Sequence, residues 1–140
     1  MLWVRVAGLF IGALYHPPRP QYGSESLLDY IEACVDELSQ QAPAAPIVLT
    51  TYFNQLSDGQ LTEKTGQLQI VRLATRGPNV WDRIFVTSPM YNIVRVVTSV
   101  MRGDHKAVVA YAEQPSLAYK TSQEKRYRPV LPAQHVAFLH

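Results

Sequence analysis

The stretch PIVLTTYF, residues 46–53, is the part of this 140-residue sequence that says most about the fold. It is a short, almost continuous apolar run that follows the segment APAA. Such a run is typical of a central strand that is buried on both faces of a sheet. We therefore take it as the central strand and place its neighbours around it.

The residues upstream of this strand predict a strand and then a helix. LWVRVAGLFIGALY, residues 2–15, indicates one long strand or two short ones, ending at the proline-rich HPPRP. From Ser24 to Gln41 the apolar residues recur with a period of 3.6, which predicts an amphipathic helix capped by Ser24 or Ser26. Its apolar stripe contains Leu27, Ile31, Cys34, Val35 and Leu38. Strand, helix and central strand together form a βαβ-type unit.

The residues downstream predict mostly β-sheet. NQLSDGQLTEKTG, residues 54–66, is polar and contains Asp-Gly, so we expect a loop with at most one helical turn. Four strand-like segments follow it: LQIVRLAT, NVWDRIFVTS, IVRVVTSVM and HKAVVAYAE. The predicted fold class is therefore α/β (α+β), with a mostly antiparallel sheet and one main amphipathic helix.

Length and composition predict one domain, over residues 1–115. At 47% hydrophobic and 17% charged residues, the chain can bury a core without disulfides. Residues 116–140 are polar and rich in proline, so we expect a basic tail or linker, with a short helix at most in the terminal AQHVAFLH.

The cysteine count and the opening residues bear on the compartment. The single cysteine, Cys34, excludes an internal disulfide framework and a Cys-rich zinc site, which favours a reducing, intracellular location, nuclear or cytoplasmic. The apolar start of the chain is shorter than the roughly 20 residues that span a bilayer, so no membrane partner is expected. The net charge of +2, with its basic excess toward the C-terminus, is compatible with nucleic acid.

Several polar side chains stand at or beyond the ends of the predicted strands. They are Tyr15, Asn54, Asp82, Asp104 and His105. Strand ends in a sheet can converge at one rim, so these residues are the candidate site. Each one taken alone also has a simpler explanation, as a turn residue or a packed surface side chain.

Asp82 interrupts the apolar run NVWDRIFVT, where a carboxylate needs a partner. One interpretation is that Asp82 accepts the Nδ1–H of His105, which fixes the tautomer of the ring and raises its basicity. The alternative is a surface ion pair between Asp82 and Arg83 or Arg95.

Four segments carry a resemblance to a known family. GALYHPPR, IVLTTYFNQL, NVWDRIFVT and RGDHKAVV resemble, in order and approximate spacing, motifs of the exonuclease-endonuclease-phosphatase superfamily. They are most similar to the C-terminal part of the apurinic-type endonuclease domains of non-LTR retrotransposons. The tail YKTSQEKRYRP also resembles the segment that joins such a domain to its reverse transcriptase. The resemblance implies a partial DNase I-like sandwich.

The resemblance also implies roles for the five candidate residues. Tyr15 would contact the scissile phosphate, Asn54 would help position the nucleophile, and Asp82 would orient His105. Asp104 would lie at the metal and water site, and His105 would stand next to the phosphate. The implied cofactor is Mg²⁺ or Mn²⁺, which prefer oxygen ligands, and the implied partner is DNA.

Two departures from the family pattern shape the functional hypotheses. Tyr52 stands where the family has the Asp of Gly-Asp-Phe-Asn, and the family's N-terminal sheet, with an Asn and a metal-binding Glu, has no counterpart here. We expect a metal-dependent DNA endonuclease with a reduced or altered site. The alternatives are a pseudo-nuclease that binds nucleic acid without cutting it and an interaction module. Half a sandwich would leave an apolar sheet face in water, so we also expect a homodimer.

Overall fold

The computed structural model describes residues 1–113, and the predictions for residues 116–140 lie outside the described residues. The described part contains two helices and seven strands. In chain order they are β1 (Leu2–Val6), β2 (Leu9–Tyr15), α1 (Ser24–Gln41), β3 (Ile47–Tyr52), α2 (Asp58–Thr65), β4 (Leu68–Gln69), β5 (Asp82–Val86), β6 (Ile93–Val97) and β7 (Ala107–Tyr111). The fold is mixed α/β, as predicted.

The predicted βαβ unit is present and forms the centre of the main sheet. β2 and β3 are parallel neighbours joined through α1, and the five strands lie in the order β1-β2-β3-β5-β4. All other strand pairs in the described residues are antiparallel. The opening apolar stretch forms two strands because Ala7 and Gly8 have φ of 49° and 78°. Two residues with positive φ make the type I′ turn of a tight hairpin.

One face of this sheet packs against α1. The helix contributes Leu28, Ile31 and Val35, which are at most 3% exposed, and the sheet contributes Leu49 and Phe85, which are fully buried. This layer is the larger core of the described residues, and the 3.6-residue period of the helix fits it.

The other face of the sheet is covered in part by a hairpin of β6 and β7. Val94 and Val108 of the hairpin pack against the cluster of Ile84 and Val86 from β5. β1 is an edge strand of this sheet, and three of the side chains of β1, Leu2, Val4 and Val6, are 46–66% exposed. The strand β3 is therefore well buried on the helix side and only partly buried on the hairpin side.

Three local predictions were wrong. Gly23 occupies the N-cap of α1 and no side chain caps it, so neither Ser24 nor Ser26 does. The segment predicted as a loop contains α2, which Ser57 caps by accepting the amide of Gln60. LQIVRLAT forms only a two-residue strand because the chain leaves the sheet after Gln69.

No helix within residues 1–113 has both the length and the apolar character needed to cross a membrane.

Candidate functional site

The candidate site lies at the edge of the sheet where β2 and β3 end and β5 begins. Tyr15, the last residue of β2, is in register with Tyr52, the last residue of β3. Tyr52 is in turn in register with Asp82, the first residue of β5, which runs in the opposite direction. The three side chains therefore share one face and one edge of the sheet, as cross-strand partners do.

Asp82 and His105 form the contact that the sequence predicted. His105 Nδ1 lies 2.8 Å from Asp82 Oδ2, and the two side chains are 35% and 30% exposed. Because the carboxylate accepts, the Nδ1–H donates and the lone pair of a neutral ring lies on Nε2. The alternative partners lie elsewhere: Arg83 pairs with Asp58 at 3.3 Å, and the Arg95 guanidinium lies over the ring of Tyr111.

Thr75 holds both halves of this pair in place. It is fully buried, and its hydroxyl oxygen accepts the backbone N–H of Trp81 at 3.0 Å and of Asp82 at 3.1 Å. Its carbonyl accepts the N–H of Lys106, the residue after His105, at 2.8 Å. One residue thus connects the segment that carries the carboxylate to the segment that carries the imidazole.

Asp104 points its carboxylate at Arg76. The Arg76 Nε–H donates to Asp104 Oδ2 at 2.6 Å, and Asp104 is 64% exposed. The hydrogen bond from Arg76 holds the pKa of Asp104 below its usual value, and the same contact raises the pKa of Arg76. Arg76 Nη1 also lies 3.4 Å from the hydroxyl of Tyr52. The guanidinium therefore contacts both the carboxylate of Asp104, a candidate metal ligand, and the hydroxyl of Tyr52.

Three aromatic rings line up beside the pair. Tyr52 stacks on Tyr15 with ring centroids 5.4 Å apart and planes 18° apart. It also stacks on Trp81 at 6.1 Å and 25°, and it lies 5.2 Å from the ring of His105 at a tilt of 55°. We call Tyr15, Tyr52 and Trp81 the aromatic ladder. Its central ring is Tyr52, which contacts both other rings and the ring of His105.

Asn54 has a structural contact at this edge of the sheet. Its side-chain Nδ2 donates to the carbonyl of His16 at 2.8 Å, which joins the chain just beyond β2 to the chain just beyond β3. The structure therefore brings Tyr15, Asp82 and His105 together around Tyr52. The amide of Asn54 instead connects the loop after β2 with the loop after β3.

An open cleft of about 700 Å³ runs alongside the site. Its polar lining residues include Tyr15, Tyr52, Asp82, Arg83 and Lys106, and its apolar lining residues include Leu2 and Val108. A cleft of this size, with a few polar groups among apolar ones, is the usual form of a ligand site.

The described residues offer little for a metal ion. Within residues 1–113, no three side chains of His, Cys, Asp or Glu come together as a ligand set. Asp104 provides one exposed carboxylate, and Mg²⁺ commonly binds through one or two carboxylates together with waters and substrate phosphates. The donor chemistry fits such a loosely held ion, provided that the ion displaces Arg76 from Asp104.

Sequence reasoning missed Thr75, Arg76 and Trp81 as parts of the site. Arg76 and Asp104 are 28 residues apart, and no local pattern predicts such a contact. The signal that was available is the turn RGPN, residues 76–79, where Arg76 and Asn79 form an isolated bridge. This turn comes directly before the segment that contains β5, so it places Arg76 close to the start of that strand.

Comparison of the chain with protein-family models, with curated proteins and with solved structures finds no match.

Proposed function

We propose that this chain is a divalent-metal-dependent phosphodiester hydrolase that acts on DNA, with an altered active site. The observation that carries the proposal is the Asp82–His105 pair, at 2.8 Å, whose carboxylate residue Asp82 lines the same open cleft as Tyr15. A carboxylate-oriented histidine is a common way to move a proton at neutral pH. The proposal also rests on the four motifs whose order resembles that of the exonuclease-endonuclease-phosphatase superfamily.

The chemistry follows from the geometry of the pair. Because Asp82 takes the Nδ1–H, His105 Nε2 is free to accept a proton from a water or to return one to the leaving oxygen. The carboxylate stabilises the imidazolium that forms during that transfer. The Tyr15 hydroxyl and the Lys106 ammonium line the same cleft and can hold a phosphate oxygen.

Asp104 would hold the Mg²⁺ or Mn²⁺ ion. Such an ion supplies charge neutralisation at the phosphate and lowers the pKa of a bound water. With one carboxylate ligand, we expect weak metal binding and activity only at high metal concentration.

A second candidate function is the binding of nucleic acid without cleavage. The 2.6 Å contact between Arg76 and Asp104 favours it, because a guanidinium occupies the carboxylate that would bind the metal. In this hypothesis, Arg76 and Lys106 contact phosphates and the site makes no chemical step.

The experiment that separates the two is plasmid nicking by purified protein in Mg²⁺, Mn²⁺ or EDTA. Cutting that requires the ion and falls by about 10²-fold or more in His105→Ala supports hydrolysis. Glu37→Gln, on the outer face of α1, is a matched control for contaminating nuclease, because it is purified in the same way and lies away from the cleft. Cutting that survives both EDTA and His105→Ala contradicts the hydrolase proposal, and binding without cutting supports the second candidate.

We also propose that the chain forms a homodimer. Leu2, Val4 and Val6 alternate along β1, which is an edge strand of the sheet in residues 1–113, and all three side chains are exposed. An exposed apolar edge strand readily pairs with another chain, and an isologous dimer would cover it. Sedimentation equilibrium at micromolar concentration should give twice the mass of one chain. A single-chain mass for the wild type, or a dimer that persists in Val4→Lys, contradicts this interface.

A further inference from the structure

The aromatic ladder is placed more like a binding surface than like part of the core. Tyr15 is 63% exposed although it stacks on Tyr52 at 5.4 Å, so one ring face is covered and most of the residue is open to solvent. Tyr52 and Trp81, which lie behind it, are only partly buried. The aromatic ladder therefore ends at the surface in the ring of Tyr15.

The rigidity of the ladder comes from the sheet. Tyr15 and Tyr52 end parallel neighbouring strands in register, and Trp81 is tied down by its backbone contacts with Phe53 and Thr75. Rings fixed by backbone pairing lose little conformational entropy when a further ring stacks on them. A flat ligand would extend a stack that already exists.

The charges around the ladder indicate what kind of flat ligand this is. Lys106 lines the same cleft as Tyr15 and Tyr52. Arg76 donates its Nε–H to Asp104 at 2.6 Å, and its Nη1 lies 3.4 Å from the Tyr52 hydroxyl. Stacked aromatic rings with cationic groups beside them match the bases and phosphates of a nucleic acid strand. A base inside a duplex is stacked on both faces, so the base that stacks on Tyr15 must have a face open, as the bases of a flexible single strand do.

We propose that the aromatic ladder binds an unpaired base of single-stranded nucleic acid through the open face of Tyr15, with the adjoining phosphates at Lys106 and Arg76. The inference deepens the proposed function by naming the form of the substrate, and it rests on that proposal only for nucleic acid as the ligand. It requires neither a metal ion nor cleavage. The substrate of this site is then a single strand, a frayed end or a nicked duplex rather than an intact helix.

The test is fluorescence anisotropy with labelled 12-residue oligonucleotides in EDTA, where no hydrolysis can occur. The probes are oligothymidylate, a duplex of the same length, and an abasic strand that has the same phosphates but no bases. Base–aromatic stacking contributes about 1–3 kcal/mol per base, so the oligothymidylate should bind roughly 5- to 150-fold more tightly than the abasic strand.

Variants of Tyr15 test whether the preference for strands with bases depends on this ring. Tyr15→Ala should remove the preference for bases, whereas Tyr15→Phe, which keeps the ring, should retain it. Tyr111→Ala is the matched control, because Tyr111 is a partly buried tyrosine on β7 that does not line the cleft. Circular dichroism of each variant checks that the fold is intact.

The outcomes separate this inference from the hydrolase proposal. Equal binding of the abasic and thymidylate strands, tighter binding of the duplex, or an unchanged preference in Tyr15→Ala would overturn the stacking site. Plasmid nicking tests hydrolysis independently, so base-dependent binding without any cutting would uphold the ladder and reject the enzyme. The absence of binding to all three probes, together with the absence of nicking, would reject nucleic acid as the ligand.

Discussion

Replacing Tyr52 with aspartate tests whether the proposed metal site lacks a second carboxylate. Tyr52 lies in register with Asp82 on the neighbouring strand, and its ring is 5.2 Å from that of His105. An aspartate at this position would bring a second carboxylate to the proposed metal site. We expect Tyr52→Asp to raise the plasmid nicking rate by about tenfold or more, the size of effect that a missing metal partner commonly has.

The same substitution should destabilise the fold, because Tyr52 stacks on both Tyr15 and Trp81. Each aromatic pair contributes about 0.5–1.5 kcal/mol beyond its buried area, and the half-buried ring adds roughly 1 kcal/mol of apolar burial. The free energy of unfolding should therefore fall by about 2–4 kcal/mol. Arg76, which contacts the Tyr52 hydroxyl, can pair with the new carboxylate and limit the loss.

Tyr52→Asn is the matched control, because it removes the same ring and adds no charge. Urea unfolding should give a somewhat larger loss of stability for the Asn variant, which cannot form the ion pair with Arg76, while only the Asp variant should gain nicking activity with Mn²⁺. Equal activity in the two variants, or a lower rate in Tyr52→Asp than in the wild type, would refute the reasoning. It would mean that the site is built around the phenol.

Three further predictions concern groups that hold the site together. Thr75→Val keeps the shape of the side chain but leaves the N–H groups of Trp81 and Asp82 without their acceptor, so the free energy of unfolding in urea should fall by about 2–3 kcal/mol. The control is Thr98→Val at an exposed threonine. Equally small losses of stability in the two variants would contradict the positioning role of Thr75. Arg76→Ala should raise the pKa of the Asp104 carboxyl toward its usual value in an NMR titration, and an unchanged pKa would argue against the ion pair. Burial lowers the pKa of His16, so as the pH falls the imidazole is protonated in the unfolded chain before it is protonated in the folded one. The stability that comes from the neutral His16 should therefore be fully present above about pH 6.5 and be lost as the pH drops through the folded-state pKa. In His16→Phe this part of the stability–pH curve should flatten, and an equally steep curve would show that another group causes it.

The parts of the fold that the sequence predicted are those with strong periodicity. The α1 stripe containing Ile31 and Val35 repeats every 3.6 residues and packs on the sheet as expected. The helix α2 was missed because it buries only Leu61 and begins with Asp-Gly. Its ends carried signals nevertheless: Ser57 with Gln60 three residues later fits a capping pattern, and Gly66 ends the helix with a φ of 70°.

The part of the site that could be predicted from the sequence is the contact between two side chains of complementary chemistry. A carboxylate within an apolar run needs a partner, and that argument led from Asp82 to His105. Arg76 lies in irregular chain between β4 and β5, so no period or motif connects it to Asp104 or to Tyr52. Exposed charges have many available partners, and only the tertiary structure selects one of them.

A double-mutant cycle on Asp82 and His105 in single-turnover plasmid nicking, with Mn²⁺, tests the central claim most directly. Asp82→Asn removes a charge-assisted hydrogen bond to a ring that is 35% exposed, so the rate should fall by roughly tenfold, whereas His105→Ala should cost about 10²-fold or more. If the carboxylate acts only through the imidazole, the double variant will be no slower than His105→Ala alone. Losses that multiply to about 10³-fold, or a rate that neither substitution changes, would contradict the account.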